Sequence, residues 1–174
     1  MKSKIHERNS STIITASKKI FLIAVIIATA LTHSFGQGSA EKYQLPQLLT
    51  FYYNIKNALV AGDATSASTN ATLFVKTVNS IDYKVISEGN IHTLANDAGK
   101  IAESKDINKQ RSYFANFSTN VALIAKAVKL SGEHIYQQYC PMKKASWLSN
   151  EKAIKNPYYG SSMLNCGEVT ATLQ

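Results

Sequence analysis

The sequence predicts an all-α fold: an up-and-down four-helix bundle with an irregular C-terminal segment folded back on it. Three observations carry this expectation. Apolar residues recur at three- and four-residue steps in four separate runs between Leu45 and Val128, the period of a helix with one buried face. The joins between runs are short, which sets consecutive helices antiparallel. After Gly132 the period stops, and Pro141, Pro157, Gly160 and Gly167 interrupt a tract with many aromatics, the texture of an ordered but irregular segment.

The first helix is expected over about 46–61. Leu45, Leu48, Leu49, Tyr52, Ile55 and Leu59 form its apolar stripe, Pro46 suits the first turn and Gly62 the C-terminal cap. Asp63 is the N-cap of a second helix whose buried face carries Ala64, Ala67, Ala71, Phe74, Val75 and Val78. Residues 81–89 form a connector. A third helix places Ile91, Leu94, Ala95, Ala98, Ile101 and Ala102 in register. Asp106 opens the fourth and longest, with Ile107, Phe114, Phe117, Val121, Ile124, Ala125 and Val128 within an arc of about 100°. Gly132 is the expected stop. Leu59, Phe74, Ile101, Phe114, Val121 and Ile124 are expected in one core.

The N-terminus reads as an export signal. Lys18 and Lys19 precede an apolar run of twelve, Ile20 to Leu31, whereas a membrane span needs about 20 such residues. Ser34 and Gly36 are small residues at −3 and −1 of a cut before Gln37. No cysteine follows the run, so a lipoprotein is not expected. The expected organisation is a signal peptide over 1–36, a linker over 37–44, the bundle over 45–131 and a Cys/Met segment of the same domain over 132–174. The product would be periplasmic or secreted, without stable membrane insertion after cleavage; an uncleaved signal anchor is the alternative.

The formal charge is +8, and about half of it lies in the leader. The remaining charges are scattered with no arginine-rich stripe, so no nucleic-acid partner is expected. Carboxylates are sparse and none forms a spaced acid–base pair. His134 lies near Cys140 but lacks an orienting third group. The expectation is a protein that is not an enzyme.

The chemistry concentrates in the last 35 or so residues. Both cysteines, Cys140 and Cys166, lie there with Met142 and Met163, as Cys-x-Met and Met-x-x-Cys. Soft thiolate and thioether donors suit Cu(I) or Ag(I), and His134 adds an imidazole six residues upstream of Cys140. Zinc fits less well, because two cysteines and one histidine leave a thioether as fourth donor. The same two cysteines in an exported protein suit a Cys140–Cys166 disulfide, worth about 3.5 kcal/mol for a loop of this length. Two free buried thiols are the third reading, and oxidation would interconvert the first two. Trp147, Tyr158 and Tyr159 read as packing anchors that hold the tail to the bundle.

Tyr139-Cys140-Pro141-Met142, Trp147-Leu148-Ser149, Ile154, Asn156-Pro157-Tyr158-Tyr159-Gly160, Met163-Leu164 and Cys166-Gly167 together resemble a Bacteroidetes-type secreted domain family of unknown function. That family also occurs at the C-terminus of periplasmic adaptor (membrane-fusion) subunits of copper/silver efflux pumps. Tyr53-x-x-Lys56-x-Ala58-Leu59-Val60 and Phe114-x-x-Phe117-Ser118 are similar to its helical region. The resemblance implies a helical bundle, a link to envelope copper handling with a heavy-metal efflux complex as partner, and Cys140, Met142, Met163 and Cys166 as metal-binding positions. One departure is the short Met142–Trp147 stretch, which carries Lys143-Lys144 where the family has a longer, glycine-containing segment.

Overall fold

The helices alternate in direction, and hydrogen bonds between their ends record it. The computed structural model describes residues 37–173, with α1 (Gln37–Ala61), α2 (Ala64–Val78), α3 (Glu88–Glu103) and α4 (Ile107–Ala127) in that order. At one end, Gln44 Nε2 of α1 donates to the carbonyl of Ser80 just past α2. At the other, Gln110 Nε2 of α4 reaches the carbonyls of Ala64, Ile101 and Ser104, joining the start of α2 to the end of α3. Arg111 donates to the Leu59 carbonyl near the end of α1. The expected leader, residues 1–36, lies outside the described residues. No described helix is long and apolar enough to cross a membrane.

The helix boundaries follow local chemistry. Gly62 takes φ +76° as the C-terminal stop of α1, a conformation that costs glycine little. Asp63 then accepts the Ser66 N–H, and Asp106 accepts those of Asn108 and Lys109, two side-chain N-caps as expected from sequence. Two expectations shift. Helix α1 begins at Gln37, so Pro46 lies inside the helix, not in its first turn. Helix α4 ends at Ala127, five residues before Gly132, because Val128 turns to extended backbone.

One core joins the helices. Tyr52, Phe74, Phe114 and Phe117 sit at its centre, fully buried, with the Phe74 and Phe117 rings edge-to-face at 4.8 Å. The six residues expected in one core are all buried in it.

The all-α expectation is wrong beyond Gly132. In place of an irregular segment there are three strands, β1 (Ile135–Cys140), β2 (Ala145–Ser149) and β3 (Glu168–Leu173), with a short 3-10 turn at Gly160–Met163. They form one antiparallel sheet in the order β2-β1-β3, so the domain is mixed, four helices plus a sheet. Each strand lacks the two-residue alternation that would announce it. In β1 the buried positions are Ile135, Gln138 and Cys140, a pattern broken by polar Gln138. In β2 Trp147, Leu148 and Ser149 are buried in succession, because both faces are covered. Strand β3 is an edge with little burial on either face, and it bulges at Thr170 opposite the step from Gln137 to Gln138.

The sheet is fastened to the helices through β2 and the loop beyond it. The Leu148 N–H donates to the Tyr52 hydroxyl at 2.8 Å, which also bonds Ser118 Oγ at 2.6 Å. Tyr158 lies between Phe114 and Trp147 with ring centroids 5.9 Å from each, and its hydroxyl donates to the Ser146 carbonyl. Trp147 and Tyr158 are thus buried anchors, with Tyr159 half-buried beside them.

Candidate functional site

Strand register brings the two cysteines together. Tyr139 of β1 pairs with Glu168 of β3, so the next residue of β1, Cys140, meets the chain just before β3, where Cys166 lies. Their sulfurs are 3.2 Å apart. Cys140 is buried and Cys166 half-buried, and both are free thiols. Gly167 makes the approach possible. Its φ is +148°, and a Cβ there would stand 2.8 Å from Trp147 Cη2 and 2.9 Å from the Tyr139 carbonyl oxygen.

A turn and a loop complete the surroundings. Residues 141–144 connect β1 to β2, with the Lys144 N–H returning to the Cys140 carbonyl at 2.8 Å and Lys144 itself at φ 55°. The N–H groups of Met142 and Lys143 and the side chain of Asn156 face the Cys140 sulfur. Asn156 also organises the second cysteine. Its Nδ2 donates to the Cys166 carbonyl, its Oδ1 accepts the N–H groups of Tyr158 and Tyr159, and its own N–H donates to the Leu164 carbonyl.

These contacts divide the two thiols. Burial works to raise the Cys140 thiol, but hydrogen bonds from Cys166, the Lys143 N–H, Asn156 and the Met142 N–H outweigh it and hold the thiol below its ordinary value. Cys166 is pushed up, first because it donates to Cys140, then by burial and by the negative charge facing it. The pair therefore favours one thiolate, on Cys140, sharing the remaining proton with Cys166.

The other expected ligands are placed unevenly. Met142 projects from the 141–144 turn and is 66% exposed. Met163 is half-buried on the 3-10 turn, three residues before Cys166. His134 is not part of the cluster. It precedes β1, so six residues of extended chain put it about 20 Å from Cys140, and its ring lies beside Tyr136 instead. Nearness in sequence misled here, because a strand separates residues that a turn would have gathered. Among the described residues no three His, Cys, Asp or Glu side chains are grouped to hold a metal ion. A soft cation would rest on the two thiols and on thioethers.

The spacing can be compared with both chemistries. Two thiolates on one tetrahedral metal, with bonds of about 2.3 Å, lie about 3.8 Å apart. A disulfide draws the sulfurs to about 2.05 Å. The observed 3.2 Å lies between, and either state needs a movement of about an ångström or less. The donor set fits a soft ion, with only the two cysteines in contact.

Two contributors to the site were not foreseen from sequence: Asn156, expected only to start a turn, and Gly167. The turn that Asn156 starts is local, through the N–H groups of Tyr158 and Tyr159, but its bond to the Cys166 carbonyl is set by the loop's return, whereas the Cys166-Gly167 pair was visible as a unit.

The structure thus defines a helical domain with an appended antiparallel sheet and a dithiol where β1 and the approach to β3 converge. Residues 48–133 match the family model described as Protein of unknown function (DUF3347). The match spans most of the four helices and ends before β1, so it includes neither cysteine. No curated protein and no solved structure matches the chain.

Proposed function

We propose that this is a binding protein, not an enzyme, that holds a soft monovalent cation, Cu(I) or Ag(I), on Cys140 and Cys166. The observation that carries the reading is the 3.2 Å approach of the two sulfurs, at a place where backbone N–H groups and Asn156 face Cys140. Thiolate sulfur is the donor such ions prefer. Met163 stands three residues from Cys166, and Met142 is free on the surface to fold inward, so both supply thioethers at little cost to the fold. The resemblance of the tail to domains of copper/silver efflux adaptors supports a role in the bacterial envelope, with the protein exported by its leader and buffering the ion or passing it to an efflux complex.

The test is a Cu(I) competition titration with a chelating indicator under reducing conditions. Met142→Leu with Met163→Leu keeps nearly the same volume and should leave the fold intact, while Cu(I) affinity falls by an order of magnitude or more. Cys140→Ser with Cys166→Ser should abolish binding. An unchanged dissociation constant in the double Leu variant rejects the thioether ligands, and one unchanged in the double Ser variant rejects the site.

The second reading is a Cys140–Cys166 disulfide-stapled interaction module without metal. It is favoured by the fact that 3.2 Å is closer than two thiolates sit on one tetrahedral ion. Thiol titration of protein from freshly prepared envelope extracts separates the two readings: free thiols support the metal site, a bridge supports the module.

A further inference from the structure

We propose that Cys140 and Cys166 exchange with the disulfide of a small thiol in a fixed order, Cys166 receiving the incoming disulfide and Cys140 closing the ring. This goes beyond the metal reading and needs no metal. Cys140 sits at the end of β1, the central strand of the sheet, paired with Ala145 of β2, and it has no exposed surface. An outside sulfur could reach it only if the sheet opened. Cys166 is partly exposed and lies in the loop before the edge strand β3. Its recessed position suits a compact disulfide. Once Cys166 is modified, Cys140 is already 3.2 Å away, held there by the Asn156 bond to the Cys166 carbonyl and by the packing of Gly167 against Trp147.

The chemistry balances in two exchanges. As the Cys166 sulfur attacks one sulfur of R–S–S–R, its proton passes to the Cys140 thiolate 3.2 Å away; that S–S bond breaks, Cys166–S–S–R forms, and the departing RS⁻ takes the proton from Cys140, which is a thiolate again. The Cys140 thiolate then attacks the Cys166 sulfur. The mixed disulfide breaks, the Cys140–Cys166 bond forms, and the second RS⁻ leaves and is protonated by solvent. Two electrons pass from the protein dithiol to the external disulfide, which becomes two free thiols.

The test uses the full chain, reduced and kept metal-free with chelator, incubated with oxidised glutathione, quenched in acid at intervals and mapped by peptide mass spectrometry. The wild-type protein should pass through a transient glutathione adduct on Cys166 and end two hydrogens lighter with no glutathione retained. Cys140→Ser should accumulate a stable adduct on Cys166. Cys166→Ser, checked for retained helical circular dichroism, should be modified slower by on the order of tenfold or more, since its remaining thiol is covered. An early adduct on Cys140, a wild-type product that keeps glutathione, or equal rates in the two Ser variants would overturn the proposal. The wild-type time course decides the order even if a variant folds poorly. Because no metal is present, failure of the Cu(I) titration leaves this result untouched, and the reverse holds too.

Discussion

The side chain of Asn156 donates to the Cys166 carbonyl at 2.8 Å, so the residue that opens the last loop also holds its far end. Three buried or half-buried bonds converge on this one amide. Asn156→Ala removes them all and leaves backbone groups without partners, at a cost of about 2–4 kcal/mol. Asn156→Asp keeps the acceptor for Tyr158 and Tyr159 but loses the donor, and should fall between. Urea unfolding of the reduced proteins measures both. If Ala and wild type unfold alike, Asn156 does not organise the site.

Gly167 and Gly99 make a contrasting pair. Gly167→Ala would force a side chain at φ +148° into Trp147 and the Tyr139 carbonyl, with an expected loss of about 2 kcal/mol or more. Gly99 lies inside α3, and a Cβ added there would meet nothing within 4 Å, so Gly99→Ala should gain about 0.5–1 kcal/mol from helix propensity. Thermal or urea denaturation of the two variants checks the opposite signs.

The difference between helices and sheet shows what sequence can carry. The four helices repeat a 3.6-residue period for at least four turns each, and Asp63, Asp106 and Gly62 mark their ends with residues that act locally. The sheet sends no such signal, because β2 is covered on both faces, β3 on hardly either, and β1 buries a glutamine. That glutamine makes sense only in three dimensions, where Gln138 Nε2 reaches the carbonyls of Glu151, Lys152 and Ala153. For the site, the meeting of Cys140 and Cys166 was legible from their common tail. The exclusion of His134 and the role of Asn156 depend on strand direction and loop return, neither of which composition encodes.

Tyr52 connects the two halves of the domain. Its buried hydroxyl accepts the Leu148 N–H and bonds Ser118. Tyr52→Phe keeps the ring among Phe114 and Phe117 but leaves the Leu148 N–H buried without a partner, at a cost of about 1–3 kcal/mol. Ser118→Ala should cost less, since the Tyr52 hydroxyl keeps its strand partner. Equal losses in the two variants would show that the bond to β2 adds nothing.

Lys56 sets the pH dependence of stability. It is 1% exposed, and among the described residues no carboxylate lies within ion-pair distance of it. Burial pushes its amine down from 10.5 to about 8, with Glu151 opposing and Lys155 assisting that shift. Below pH 8 the amine is protonated in both folded and unfolded chains, and the folded state bears the cost of the buried charge. Between pH 8 and 10.5 the unfolded chain binds more protons, so stability should rise with pH, by about 3 kcal/mol over the full window. Burial raises Tyr52, Tyr53 and Tyr158 above the ordinary 10.0, so unfolded phenols ionise first and stability falls again above about pH 10. The rise is therefore to be read between pH 7 and 9.5 by urea unfolding. Lys56→Met should flatten it and, at pH 7, stabilise the protein by up to about 3 kcal/mol, since an unpaired buried charge is replaced by an apolar chain of similar length. If the variant is less stable at pH 7 and the rise persists, the ammonium is paired in solution and another group carries the pH dependence.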